Sequence, residues 1–201
     1  MLVLLVLGAL TYGGYYFGTK TKNIEKPEAV NTEVTEERVE QTAEPIVTPT
    51  PVALTAVVGG LPKSAGLSFD QYSVMIPAGW TSKKESQSAM DEKLILSKDG
   101  YTISIFQAAT GGALCLYPGD ADFEGPSSKY QVFTALTTKD GRTLRRSGDT
   151  NGTAFTVCQK SGDGSYQQPT SYGHMSVALP ANWTKEMLTE IDSIISSLKK
   201  I

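Results

Sequence analysis

The distribution of aromatic residues limits where this chain of 201 residues can build a folded domain. No Phe, Tyr or Trp occurs in residues 19–66, whereas thirteen occur between Phe69 and Trp183. Residues 19–66 are instead rich in Pro, Thr, Glu and Val, and such a segment cannot bury enough apolar surface to offset the entropy of ordering it. The sequence therefore predicts a disordered tether over residues 19–66 and one globular domain over residues 67–201.

The segment that precedes the tether, residues 1–18, contains no charged side chain. As a helix it would be about 27 Å long, which is enough to cross a hydrocarbon core. A buried core helix and a cleaved signal peptide are the alternatives, but the segment has no polar face, no basic start and no small-residue exit site. We predict a transmembrane helix, or an uncleaved signal, that anchors the protein in the cell membrane by a single pass.

Two features disagree about the side of the membrane on which the domain lies. Three lysines within residues 20–26 follow the anchor, and the positive-inside tendency favours a cytoplasmic position for them. A basic leader upstream of Met1 would remove this conflict. Cys115 and Cys158 favour the outside, because a cysteine pair behind an export-type anchor is more often oxidised than free. We predict a disulfide between them and an extracytoplasmic domain, with a cytoplasmic-facing membrane adaptor as the alternative.

In residues 67–201, apolar segments typical of strands alternate with residues typical of turns. Apolar segments on both sides of Asp99-Gly100 predict a hairpin over residues 94–106, and Asp140-Gly141 predicts a second one over residues 130–146. Further strands are expected over residues 72–76, 153–159 and 172–179, with long loops over residues 108–128 and 161–170 and a helix-compatible polar segment over residues 85–93. In the last strand Met175, Val177 and Leu179 share one face, while Tyr172, His174 and Ser176 share the other.

An amphipathic helix closes the chain. Asn182 or Thr184 can cap its start, and Lys199 with Lys200 suit its last turn. Its apolar residues form one stripe that needs a partner surface: Met187, Leu188, Ile191, Ile194, Ile195 and Leu198. The predicted fold class is α+β, an antiparallel β-sheet with a carboxyl-terminal helix packed on one face. In the strand over residues 153–159, Cys158 opposes Phe155 and Val157, and this alternation leaves open which face of the strand is buried. If Cys158 forms a bridge, the outer face of the sheet is one position for it.

The order of these elements resembles the PsbP-like superfamily. The resemblance rests on the nine residues from Tyr72 to Trp80, YSVMIPAGW, on the early hairpin, and on the closing helix with its buried isoleucines. It implies a compact domain, in exported or membrane-anchored bacterial proteins among others, that docks on other macromolecules or assists their assembly and has no active site common to the family. The long loop over residues 108–128 and the cysteine pair depart from many relatives.

Composition and motifs exclude several classes of function. Residues 67–201 carry thirteen Lys and Arg against fourteen Asp and Glu, which argues against a nucleic-acid partner. Phosphate-binding glycine loops and a serine nucleophile elbow do not occur. His174 is the sole histidine and is expected to be a solvated residue of the sheet. We expect no cofactor and no catalytic residues.

Two groups of residues in the loops are candidates for binding. Asp120, Asp122 and Glu124 alternate in a Gly- and Pro-containing loop and are weak candidates for holding a metal ion or for hydrolysis, although solvated loop charge is the simpler interpretation. Aromatic residues on loops are enriched at binding sites, and four of them form a possible binding surface: Tyr117, Phe123, Tyr130 and Tyr166. Arg142, Arg145 and Arg146 are expected to be an ordinary solvated hairpin.

These features together predict a membrane-tethered, extracytoplasmic module that is not an enzyme and that binds a protein or an envelope component. The alternative from another class is an envelope hydrolase that uses the loop carboxylates.

Overall fold

The computed structural model of the chain describes residues 53–201, so the predicted anchor and most of the predicted tether lie outside the described residues. Thirteen strands, one α-helix and a short 3-10 helix at Lys63–Ala65 make up this part. The helix α1 is Lys185–Ser196 and the strands are β1 Leu54–Gly59, β2 Tyr72–Pro77, β3 Thr81–Glu85, β4 Glu92–Lys98, β5 Tyr101–Gln107, β6 Ala113–Leu116, β7 Ser127–Lys129, β8 Val132–Thr137, β9 Thr143–Gly148, β10 Ala154–Lys160, β11 Tyr166–Gln168, β12 His174–Ala178 and β13 Lys199–Lys200. None of the helices between residues 53 and 201 combines the length and the apolar character needed to cross a bilayer.

Ten of the strands form one large sheet. Its main series is β3-β4-β5-β12-β10-β9-β8, and every pair in it is antiparallel. Strands β11, β6 and β7 extend the sheet from the far end of β10, and β6 pairs with β7 in parallel. Within the described chain, β3 and β8 are the edges of the main series, and all five residues of β3 are exposed.

A second, smaller sheet and the helix cover one face of the large sheet. The small sheet has the order β1-β2-β13. Between these layers lies the main core, which contains the predicted helix stripe residues Ile191, Ile194, Ile195 and Leu198 and the inward residues of β2, β4, β5, β10 and β12. The α+β expectation of an antiparallel sheet with a carboxyl-terminal helix is confirmed for this part of the chain.

The ordered chain begins earlier than the tether prediction allows. Strand β1 lies inside residues 19–66 and pairs along its whole length with β2. The chain then enters the core at Leu61, whose N–H donates to the Gln107 side chain at 2.8 Å. Backbone hydrogen bonds to β2 order a segment that has no aromatic residue of its own, and this long-range pairing cannot be read from composition.

Both predicted hairpins are confirmed. Asp99 and Gly100 have φ values of 49° and 84°, as a two-residue turn between twisted strands requires. Thr184 caps the helix by accepting a hydrogen bond from the N–H of Met187. Lys199 and Lys200 do not extend the helix as predicted, because the helix ends at Ser196, with Ser197 as its C-cap, and the two lysines pair with β2 as strand β13.

Other local expectations are wrong for reasons of tertiary structure. The polar segment over residues 85–93 is not helical but joins β3 to β4. The predicted loops over residues 108–128 and 161–170 contain β6, β7 and β11. Tyr172 does not share the outer face with His174 but is fully buried. The chain turns at Thr170–Gly173, where Gly173 has a φ of 123°, and this turn resets the alternation before β12 begins.

Candidate functional site

The face of the large sheet that the helix does not cover carries a row of four side chains. Across β3, β4, β5 and β12, the register places Glu85 beside Lys93, Lys93 beside Phe106, and Phe106 beside His174. Directly opposed residues of antiparallel strands point to the same face. An acid, a base, an aromatic ring and an imidazole therefore stand side by side on the outer face.

This row forms one flank of a groove of about 450 Å³. The groove floor consists of small hydroxyl residues, because Ser104 lies beside Ser176 and Ser176 lies beside Thr156 in the register. The small side chains leave room above the sheet, and the volume is in the range of ligand sites in proteins. The remaining lining residues include Gln87, Gln168 and Met175.

His174 is half-buried in the groove wall. Its Nε2 lies 2.6 Å from the Thr110 hydroxyl, and burial lowers the pKa of the ring below its ordinary value. A neutral imidazole can both donate and accept hydrogen bonds. His174 lies on the outer face of the sheet as expected, but it is less solvated than expected because Thr110 contacts its ring.

The disulfide between Cys115 and Cys158 is present and confirms the predicted pairing. Both cysteines are buried on the outer face of the sheet, while Phe155 and Val157 of β10 lie in the main core on the other face. The chain on either side of the bridge is tied to the groove, through Thr110 at His174 and through Tyr130, whose hydroxyl accepts a hydrogen bond from Gln168 at 3.0 Å. The segment that contains Cys115 thus contacts two groove residues, His174 and Gln168.

Three of the four aromatic residues in the predicted binding surface come together over the disulfide. Tyr117 is 6% exposed and has the rings of Tyr130 and Tyr166 at centroid distances of 6.2 and 5.6 Å. Burial raises the pKa of Tyr117, although a hydrogen bond with Ser147 opposes the change. These three rings form a small second core, whereas Phe123 stays apart and is 53% exposed.

The three arginines are not the solvated group that their spacing predicts. Arg142 contacts Asp70 at 2.6 Å, and Arg146 is buried against Asp192 of the helix. Arg145 points to the opposite face of β9, where its Cζ lies over the rings of Tyr117, Phe133 and Tyr166 at 4.5, 4.0 and 3.9 Å. Neighbouring residues of one strand thus serve the two faces of the sheet.

The loop carboxylates do not assemble into a site. Asp120 and Asp122 border one shallow cavity, but Asp120 accepts a hydrogen bond from the N–H of Tyr117 and Asp122 pairs with Lys129 at 2.6 Å. Glu124 is exposed and does not line that cavity. Among residues 53–201, no three His, Cys, Asp or Glu side chains meet in a way that could hold a metal ion.

The groove is not predicted by the sequence, although part of the pattern that forms it is visible there. The hairpin over residues 94–106 and the strand over residues 172–179 already place Ser104, Phe106, His174 and Ser176 on outward faces. The pattern does not show that β5 and β12 pair with each other, because these strands lie far apart in the chain. No protein-family model, no curated protein and no solved structure matches this chain.

Proposed function

We propose that this chain is a membrane-tethered, extracytoplasmic binding or assembly module, of the PsbP-like kind that its motifs resemble, and that it acts without catalysis on a protein or envelope component. The observation that carries the proposal is the groove on the uncovered face of the large sheet. One face of that sheet is sealed by the helix and the small sheet, and the other offers a cavity of about 450 Å³ lined by mixed polar and aromatic side chains. Convergent polar groups around an aromatic residue are typical of recognition sites.

The disulfide supports the extracytoplasmic position. Such bridges persist in oxidising compartments and are rare where thiols are kept reduced. The residues that would anchor the chain, 1–18, lie outside the described part, so this step rests on their hydrophobic composition. Blocking free thiols in intact cells before lysis, followed by mass measurement, tests it: an oxidised pair agrees with export, and two blocked thiols contradict it.

Site-specific crosslinking tests the groove. We expect the full chain with Phe106→p-benzoylphenylalanine to give an adduct of discrete mass in cells after irradiation, because position 106 lies in the groove wall. The matched control is Thr189→p-benzoylphenylalanine, which is exposed on the helix at the opposite layer. Identical adducts from both positions, or none from position 106, contradict the proposal.

A blocking variant adds a second test. Ser104→Trp fills the groove floor and is expected to abolish the adduct from position 106. Ser193→Trp, on the exposed side of the helix, places the same bulk away from the groove and is expected to leave the adduct unchanged. Equal yields with Ser104→Trp and without it count against the groove as the binding site.

A further inference from the structure

Arg145 differs from its two arginine neighbours because it has no acidic partner within residues 53–201. Arg142 is paired with Asp70 and Arg146 with Asp192, whereas the side chain of Arg145 forms no ion pair and donates no hydrogen bond within these residues. Its Nε is buried and without an acceptor. A buried charged donor that lacks an acceptor is costly, so native structures seldom leave one without a reason.

Aromatic rings fix the position of this guanidinium. Tyr117, Phe133 and Tyr166 all lie within cation–π distance of its Cζ, and Tyr117 is itself held by a hydrogen bond between its hydroxyl and that of Ser147 at 2.9 Å. The three rings surround the cation and leave its N–H groups as donors at this position. A guanidinium is suited to bidentate hydrogen bonding with a planar anion.

Arg145 lines a cavity of about 450 Å³ that shares no residue with the groove. Two carboxylates also border this cavity, but each is engaged by its own loop. Asp120 accepts from the N–H of Tyr117 at 2.9 Å, and Asp163 accepts from the N–H of Ser165 at 3.0 Å. The cavity therefore offers one free cation on a background of negative charge.

We propose that Arg145 binds a carboxylate group of a ligand in this cavity. A planar monoanion matches the fork of the guanidinium, and its single negative charge is repelled less by Asp120 and Asp163 than a double charge would be. A phosphate dianion would be repelled by the same two aspartates. The carboxylate can belong to the end of a polypeptide or to a free organic acid, and the test separates these two sources.

The nitrogen and hydrogen resonances of the Arg145 Nε–Hε group report binding directly. We expect titration of the full chain with N-acetylglycine to shift this signal to saturation, while N-acetylglycine amide and inorganic phosphate at equal ionic strength leave it in place. Absence of a saturable shift, or an equal shift with phosphate, overturns the proposal. The affinities of tri-alanine and acetate are then compared. Tighter binding of tri-alanine shows that the site takes the ends of polypeptides, and equal binding shows that it takes free acids. Both results support a carboxylate site.

A conservative variant separates charge from geometry. Arg145→Lys keeps the charge but loses the planar fork, and we expect it to weaken N-acetylglycine binding by at least about tenfold. Arg142→Lys, the same change at an arginine already paired with Asp70, is expected to leave the affinity unchanged. Equal weakening by both variants overturns the assignment. If Arg145→Lys fails to fold, the titration of the unaltered chain with N-acetylglycine still tests the proposal. If that titration shows no binding, the carboxylate site is overturned, but the proposal that the groove binds a partner is unaffected.

Discussion

Asp192 of helix α1 holds Arg146 of strand β9 by two contacts, Nε to Oδ1 at 2.6 Å and Nη2 to Oδ2 at 3.0 Å. Arg146 is only 5% exposed, and its Cζ also lies 4.8 Å from the centroid of Phe155. The pair joins the helix to the covered face of the large sheet. Because the cation is buried, its neutralisation by Asp192 is a condition for packing the helix against the sheet.

Removal of this carboxylate should destabilise the fold. We expect Asp192→Asn to lower the free energy of unfolding by about 3–5 kcal/mol, because it leaves a buried charge without a partner. Urea unfolding followed by circular dichroism measures this. The double variant Arg146→Met with Asp192→Leu should recover most of the loss. Asp122→Asn breaks an exposed pair with Lys129 and should change stability little; a similar loss in both single variants would contradict the argument.

A methyl group at Gly173 should be poorly tolerated. A Cβ there would lie 2.5 Å from the carbonyl oxygen of Phe106, and the φ of 123° is one that other residues rarely adopt. We expect Gly173→Ala to lower the melting temperature by several degrees, which is about 1–3 kcal/mol for a domain of this size. Gly162→Ala has open space at its Cβ and is the matched control, with no loss expected. Equal melting temperatures for the two variants would show that the turn adapts.

Reduction of the disulfide should loosen one side of the domain more than the rest. The bridge closes a loop with a sequence separation of 43, for which the chain-entropy model gives a stabilisation of about 4 kcal/mol. We expect Cys115→Ala with Cys158→Ala to increase hydrogen exchange in β6 and β7, since both are held against the sheet near the bridge. The hairpin of β4 and β5 serves as the internal control. Uniform acceleration across both regions would indicate global destabilisation and would contradict a local role.

His174 should make stability depend on pH in a window below its ordinary pKa. Burial lowers the pKa of the folded ring, so between that value and about pH 6.5 the unfolded chain binds a proton that the folded chain does not. The stabilisation is complete above about pH 6.5 and is lost as the pH falls through the folded pKa. Because this is the sole histidine, proton NMR can follow its ring directly. A midpoint at or above 6.5 would contradict the prediction, and His174→Gln should remove this part of the pH dependence.

The sequence correctly predicts those elements that are determined by residues close together in the chain. The Asp-Gly turns, the Thr184 cap and the isoleucine stripe of α1 all follow from neighbouring residues, and each is observed as predicted. These features depend on a few residues at fixed spacing, and sequence patterns contain that information.

The remaining features depend on residues that are distant in the chain. Strand β1 is ordered by β2, and Tyr172 is buried because a turn at Gly173 shifts the alternation. The surroundings of Arg145 come from Tyr117, Phe133 and Tyr166, which lie in three separate segments. Composition and periodicity carry no information on such contacts, so the candidate sites emerged only once the strands were paired.

The two edges of the main series of strands affect how the protein self-associates at high concentration. Lys83 and Lys84 project from an edge whose backbone groups could otherwise template another chain. At the opposite edge, β8 exposes Val132 and Phe133, which are 40% and 44% accessible. Pairing another chain with β3 would bury charged side chains, whereas pairing one with β8 would bury apolar ones. Concentrated solutions should therefore self-associate first through β8, and light scattering should detect association of the Val132→Lys variant only at higher concentration.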